Sequence, residues 1–188
     1  SPAYDTTQPG WIGTYLSEYA FWLTRPMWSM IFGGVFEAYP RLKVSFTEAG
    51  GEFWFPWVLE LMDIRASVKH TSGKLGDYNS NLTMKPSGYF ARNIWVGCSA
   101  LPGEETTDAY YRIGIDRILW GTDYPHPEGT WPATMDKMLA SLGGLPEADI
   151  QKMFAGNILQ VFDLDEDALW ALAARIGPAK DRFLQRAA

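Results

Sequence analysis

The chain is poor in several residue types, and each shortage excludes something. It has one cysteine, Cys98. No disulfide can form within it, and a reducing, cytoplasmic setting fits. It has no Lys/Arg cluster, and its formal charge is -6. A nucleic-acid binder needs a basic footprint, so none is expected as a partner. No stretch reaches the roughly 18 to 20 apolar residues of a membrane helix. The run from Phe53 to Met62 is apolar but short, and Pro56 and Glu60 interrupt it. No basic segment followed by an apolar one opens the chain, so no signal peptide is read. Residues 1–10 lack Met and read as the middle of a polypeptide, with something upstream absent. Histidine is scarce, with only His70 and His126.

What is present argues for a packed domain. Of 188 residues, 47% are hydrophobic and 15% aromatic, with nine Trp, which excludes global disorder. Three short runs read as buried strands, at 43–48, 93–99 and 117–121. Each is β-branched or aromatic and bounded by Gly, Pro or charge. Helices are expected at 12–23, 26–38, 53–68, 104–113, 132–142, 146–154 and 165–176, with a last one to the C-terminus. Pro26 suits a helix's first turn, and Tyr39-Pro40 ends that helix. Alternation of this kind is the signature of parallel βαβ units, whose strands are apolar on both faces. The strands should be parallel and adjacent in chain order, leaving an exposed edge at 43–48. The segment 72–85, rich in Gly, Asn and Ser, is expected to be a mobile loop. It would join a helix to the next strand or fold over the active face.

In parallel α/β proteins, working side chains sit at the C-terminal ends of strands. Glu48, Ser99 and Asp123 lie there. An acid at the end of an apolar strand is costly to bury unless paired, protonated or metal-bound. A helix cap or a loop hydrogen bond is the bland alternative for Glu48 and Asp123, and it stays open. His126 follows Asp123 by three residues, past Tyr124-Pro125, which gives it a possible place in a site. His70, beside Lys69, reads as surface charge. Cys98 reads as a packed thiol on an apolar strand. Trp54, Trp57, Trp120 and Trp131 are mostly core material, although such rings also line apolar pockets.

The motifs resemble one family. Residues 31–44, Ile-Phe-Gly-Gly-Val-Phe-Glu-Ala-Tyr-Pro-Arg-Leu-Lys-Val, are similar to a helix-to-strand passage of amidohydrolase-related proteins. That family includes aminocarboxymuconate-semialdehyde decarboxylase and the resorcylate decarboxylases. Residues 46–51, Phe-Thr-Glu-Ala-Gly-Gly, resemble its strand-six end. Residues 85–90, Lys-Pro-Ser-Gly-Tyr-Phe, resemble the segment before strand seven. Residues 118–126, Ile-Leu-Trp-Gly-Thr-Asp-Tyr-Pro-His, resemble its strand-eight signature. Asn157-Ile158-Leu159 resembles the helix after the barrel.

The resemblance implies an α/β fold, the C-terminal portion of a (β/α)8 TIM barrel with about three of its strands. Residues 1–164 would form the partial barrel and 165–188 a helical extension of the same domain. It implies a divalent metal ion, zinc or manganese, held by an HxH pair, a strand-five histidine and the strand-eight aspartate, here Asp123. No HxH motif exists in this sequence, so metal binding by this chain alone is expected to be weak or absent. The strand-six position, often histidine in the decarboxylases, is Glu48. The implied catalytic residues are Asp123, Glu48 and His126. The implied substrate-binding residues are Trp54, Ser99 and Tyr124. The function expected is metal-dependent hydrolysis or non-oxidative decarboxylation of a small organic molecule. The alternative is a non-catalytic remnant that binds a partner chain. An upstream segment or partner chain would complete the barrel, and a homo-oligomer is expected.

Overall fold

A computed structural model describes residues 3–48, 51–67, 74–98, 107–127, 129–142 and 145–177. Its contacts divide the chain into two units, Ser1–Val96 and Gly97–Ala188. Three parallel strands form one sheet in the order β1 (Val44–Thr47), β2 (Ile94–Cys98), β3 (Ile118–Trp120). The parallel, in-order arrangement read from the sequence is therefore observed, and β1 is an edge strand. No described helix is long and apolar enough to cross a membrane.

The first unit begins with α1 (Trp11–Phe32). The sequence predicts two helices meeting before Pro26, but α1 runs straight through it. Proline has no N–H to give the carbonyl one turn back. Thr24 Oγ1 turns inward and bonds to Ala20 O at 2.7 Å and to Phe21 O at 3.1 Å. Beyond the proline, Met27 and Ile31 are buried, and their packing keeps the helix going. The break comes instead at Gly33-Gly34, where Gly34 takes φ 74°. The short α2 (Val35–Ala38) follows.

After β1, α3 (Gly51–Ser67) buries Phe55, Val58, Leu59 and Met62. A fully buried side chain of this size contributes about 1.5–3 kcal/mol. A further helix, α4 (Pro86–Asn93), has no counterpart in the sequence reading. Its start is held by Asp63 of α3, which accepts from Ser87 N at 2.9 Å and Ser87 Oγ at 2.7 Å. Its last residue, Asn93, is buried and donates to Pro40 O at 3.0 Å and Leu42 O at 2.7 Å. That amide ties the entry to β1 to the entry to β2.

The described part of the 72–85 loop is stitched down. Tyr78 OH bonds to Arg65 O, and Asn79 Nδ2 to Ala66 O. Glu37 accepts from Thr83 N at 3.2 Å, from Thr83 Oγ1 at 2.6 Å and from Tyr89 OH. Thr83 first, then Tyr89, hold the Glu37 carboxyl below its ordinary range. Arg65 and Ala66 lie in the last turn of α3, the end far from the C-terminus of β1. The described part of the loop therefore runs from α3 towards α4, ahead of β2, which is the first of its two expected placements.

In the second unit, α5 (Thr107–Ile113) leads through a 3-10 turn at Ile115–Arg117 into β3. Then come α6 (Thr134–Leu142), α7 (Glu147–Gln151), a π-turn at Lys152–Gly156 and α8 (Asn157–Phe162). The expected end at about 154 is passed because the π-turn carries the helix on. Phe154 lies on Trp120 with ring centroids 4.7 Å apart. Asn157 is buried and donates to Ile115 O at 2.8 Å and Ile118 O at 2.7 Å, fastening α8 to β3. Finally α9 (Glu166–Ile176) is capped by Asp165, which accepts from Ala168 N at 3.0 Å.

Candidate functional site

β3 ends at Trp120, and Gly121 N still bonds to Cys98 O at 3.2 Å. The chain then makes a closed loop. Thr122 O accepts from Thr130 N at 2.9 Å and from Thr130 Oγ1 at 3.3 Å. Inside it, His126 N bonds to Asp123 O at 2.7 Å and Gly129 N to His126 O at 3.0 Å. The loop is anchored to α6, since Thr130 Oγ1 lies 3.2 Å from Thr134 Oγ1 and Lys137 Nζ reaches Gly129 O at 3.0 Å. Gly129 is required by space. A Cβ there would stand 2.7 Å from Thr122 O and 3.0 Å from both Asp123 O and His126 O.

This loop presents the acid–imidazole pair. His126 Nδ1 lies 2.9 Å from Asp123 Oδ2. The Asp123 side chain is 23% exposed and the His126 side chain 55%. The carboxylate accepts from Nδ1–H, which fixes the ring orientation and leaves Nε2 for another group. Asp123 has φ 56°, in the left-handed region. Glu48, at the end of β1 in the other unit, has φ 58°. Such a backbone costs a non-glycine residue about 1–2 kcal/mol. Strain of this kind clusters at functional positions, which makes both strand ends candidates.

The other predicted residues fall out as follows. Tyr124 is 64% exposed and meets Trp131 edge-to-face at 5.5 Å. Trp54 packs among Phe21, Trp28 and Phe55. Cys98 is buried and in no disulfide. Ser99 and His70 lie outside the described residues. Sequence reasoning missed the Thr122–Thr130 closure, Gly129 and Lys137. The glycine in Glu128-Gly129-Thr130 was the one available signal, and it does not reveal three converging carbonyls.

Among the described residues, no three His, Cys, Asp or Glu come together as a metal site. Asp123 supplies one carboxylate, with His126 bonded to it. Catalytic zinc takes three protein ligands. These residues therefore do not fit a complete metal centre by themselves.

Comparison with known proteins gives the family of the chain. The amidohydrolase family model matches residues 21–164, more than half of the chain. The chain belongs to the amidohydrolase family. The chain is 28% identical over 138 residues to 2-amino-3-carboxymuconate-6-semialdehyde decarboxylase of Dictyostelium discoideum, covering 73% of this chain and 35% of the relative. The solved structure of an amidohydrolase from Mycobacterium avium subsp. paratuberculosis K-10 is similar at 26% identity. Its TM-score is 0.61, over 78% of this chain and 35% of that one. A dihydroxybenzoic acid decarboxylase from Polaromonas sp. JS666, solved with bound manganese and the inhibitor 2-nitroresorcinol, matches at 24% identity. Its TM-score is 0.57, over 87% of this chain and 48% of that one. The chain thus spans between about a third and a half of these proteins' lengths. Its fold is part of the amidohydrolase TIM barrel, and its three strands are part of that barrel's sheet.

Proposed function

We propose that this chain is the C-terminal part of a metal-dependent amidohydrolase-family decarboxylase acting on a small aromatic carboxylic acid. The observation that carries the reading is the Asp123–His126 pair, 2.9 Å apart, immediately beyond the C-terminal end of β3. The names of the relatives favour decarboxylation over hydrolysis.

In this reading Asp123 gives one ligand to the metal, manganese or zinc. The remaining donors come from an upstream segment or a partner chain that completes the barrel. The metal, when bound, supplies positive charge beside the substrate's oxygens. Asp123 also orients the His126 ring, so Nε2 faces the substrate as an acid/base group. When the bond to the carboxylate breaks, CO2 leaves and the electron pair stays on the ring carbon. That carbon then takes a proton, and His126 Nε2 is the group we assign to deliver it. Glu48 serves as a second acid/base group or as a polar wall, and Trp54 and Ser99 belong to the substrate-binding set.

The test is CO2 release from a panel of hydroxybenzoic acids by the manganese-loaded, barrel-complete protein, with and without a chelator. Release from at least one acid, abolished by the chelator, is the expected result. Hydrolysis of an ester or amide panel with no CO2 from any acid would overturn the decarboxylase assignment.

A further inference from the structure

Two large rings beside the acid–imidazole pair stand in solvent. Tyr124 is 64% exposed and Trp131 65%. Their centroids are 5.5 Å apart and the ring planes meet at 70°. Aromatic rings normally bury most of their surface, so an exposed pair is unusual unless it meets something. The backbone beneath is not a free tip. Tyr124 N bonds to Thr122 Oγ1 at 3.2 Å, and Thr130, one residue before Trp131, is bonded through its N to Thr122 O at 2.9 Å. Tyr124 therefore emerges from the closed loop that carries Asp123 and His126, and Trp131 from the residue just beyond its closure. Rings held this way lose little freedom on binding, which favours recognition.

We propose that Tyr124 and Trp131 form an aromatic recognition subsite that takes the flat face of a ligand ring. The ligand's acidic group would reach His126 Nε2, the ring nitrogen that does not face Asp123. The ligand class is a planar aromatic acid. The proposal rests on the functional reading of Asp123 and His126, and it adds the residues that select a ring over an aliphatic acid. Trp131 is a specificity residue here and takes no part in bond breaking.

The test is calorimetric titration of the purified protein with 2-hydroxybenzoate and with cyclohexanecarboxylate, which has the same charge and no π face. The wild type should prefer the aromatic acid. Trp131→Ala and Tyr124→Ala should each weaken 2-hydroxybenzoate by about three- to tenfold, the size of an aromatic contact. Cyclohexanecarboxylate should bind as before, and Trp131→Phe should keep most of the preference. Thermal midpoints should stay level, because both rings are exposed. Absence of ring preference in the wild type, or equal weakening of both acids, would overturn the proposal. So would lowered midpoints with unchanged affinities, since the rings would then be packing surface. The two readings fail separately. Ring preference without CO2 release removes the decarboxylase reading alone, and CO2 release without ring preference removes the subsite alone.

Discussion

Replacing Asn157 with alanine should loosen β3, and with it the site that β3 carries. The side-chain amide sits at 4% exposure and donates to two backbone carbonyls, Ile115 O at 2.8 Å and Ile118 O at 2.7 Å. Alanine removes both donors and leaves both oxygens buried. An unsatisfied buried polar group costs about 1–3 kcal/mol, so the pair costs roughly 2–5 kcal/mol, less whatever water recovers. For a chain of this size each kcal/mol moves the thermal midpoint by about 2–4 °C. The expected fall is therefore about 5–15 °C, read by circular dichroism. Asn157→Asp should be at least as damaging, because a carboxylate would face two carbonyl oxygens without a donor. Gln151→Ala, which removes only an exposed bond to Glu147 at 2.9 Å, is the control and should cost under about 0.5 kcal/mol. An Asn157→Ala midpoint within about 2 °C of wild type would refute the claim that this amide fastens α8 to β3.

Three further variants probe other parts of the account. Gly129→Ala should displace the 122–130 loop, because its Cβ would meet Thr122 O at 2.7 Å. Both a lower midpoint and a loss of at least tenfold in turnover are expected, and wild-type values in both assays would contradict the packing argument. Glu48→Gly should relieve a φ of 58° and raise stability by about 0.5–1 kcal/mol while lowering turnover. An unchanged turnover would remove Glu48 from the proposed machinery. Glu37 has a depressed carboxyl, so its contribution is present above the unfolded value of about 4.3 and is lost as pH falls through the folded one. The midpoint gap between wild type and Glu37→Gln should accordingly be steady near neutrality and shrink below about pH 4. A gap that widens on acidification would reverse the assigned sign.

Strands β2 and β3 were legible because they are continuous, buried apolar runs. Ile94, Val96 and Ile118 are fully buried, and such continuous runs announce themselves without any partner. Helix α4 was not legible. Its sequence, Pro-Ser-Gly-Tyr-Phe-Ala-Arg-Asn, is polar at the start and holds a glycine, and its N-terminus depends on Asp63 in another helix. The anchoring of the loop at 72–85 was not legible for a related reason. Its composition looks mobile, but its anchor Glu37 is 46 residues from Thr83 in sequence. At the candidate site, the position of His126 three residues after Asp123 pointed to a site role, though not to its bond with Asp123. The left-handed backbone at Asp123 and the three carbonyls converging on Gly129 depend on how the loop closes, and no single residue type encodes that.

The most direct test of the central claim is Asp123→Asn in the barrel-complete protein, with bound metal and CO2 release measured on the same preparation. Asparagine keeps the shape and the capping ability of aspartate but loses the charge that binds a cation and orients His126. The account predicts an unchanged fold, metal content reduced well below one ion per chain and turnover down by at least about a hundredfold. Full metal content with wild-type turnover would contradict it and return Asp123 to the role of a loop residue.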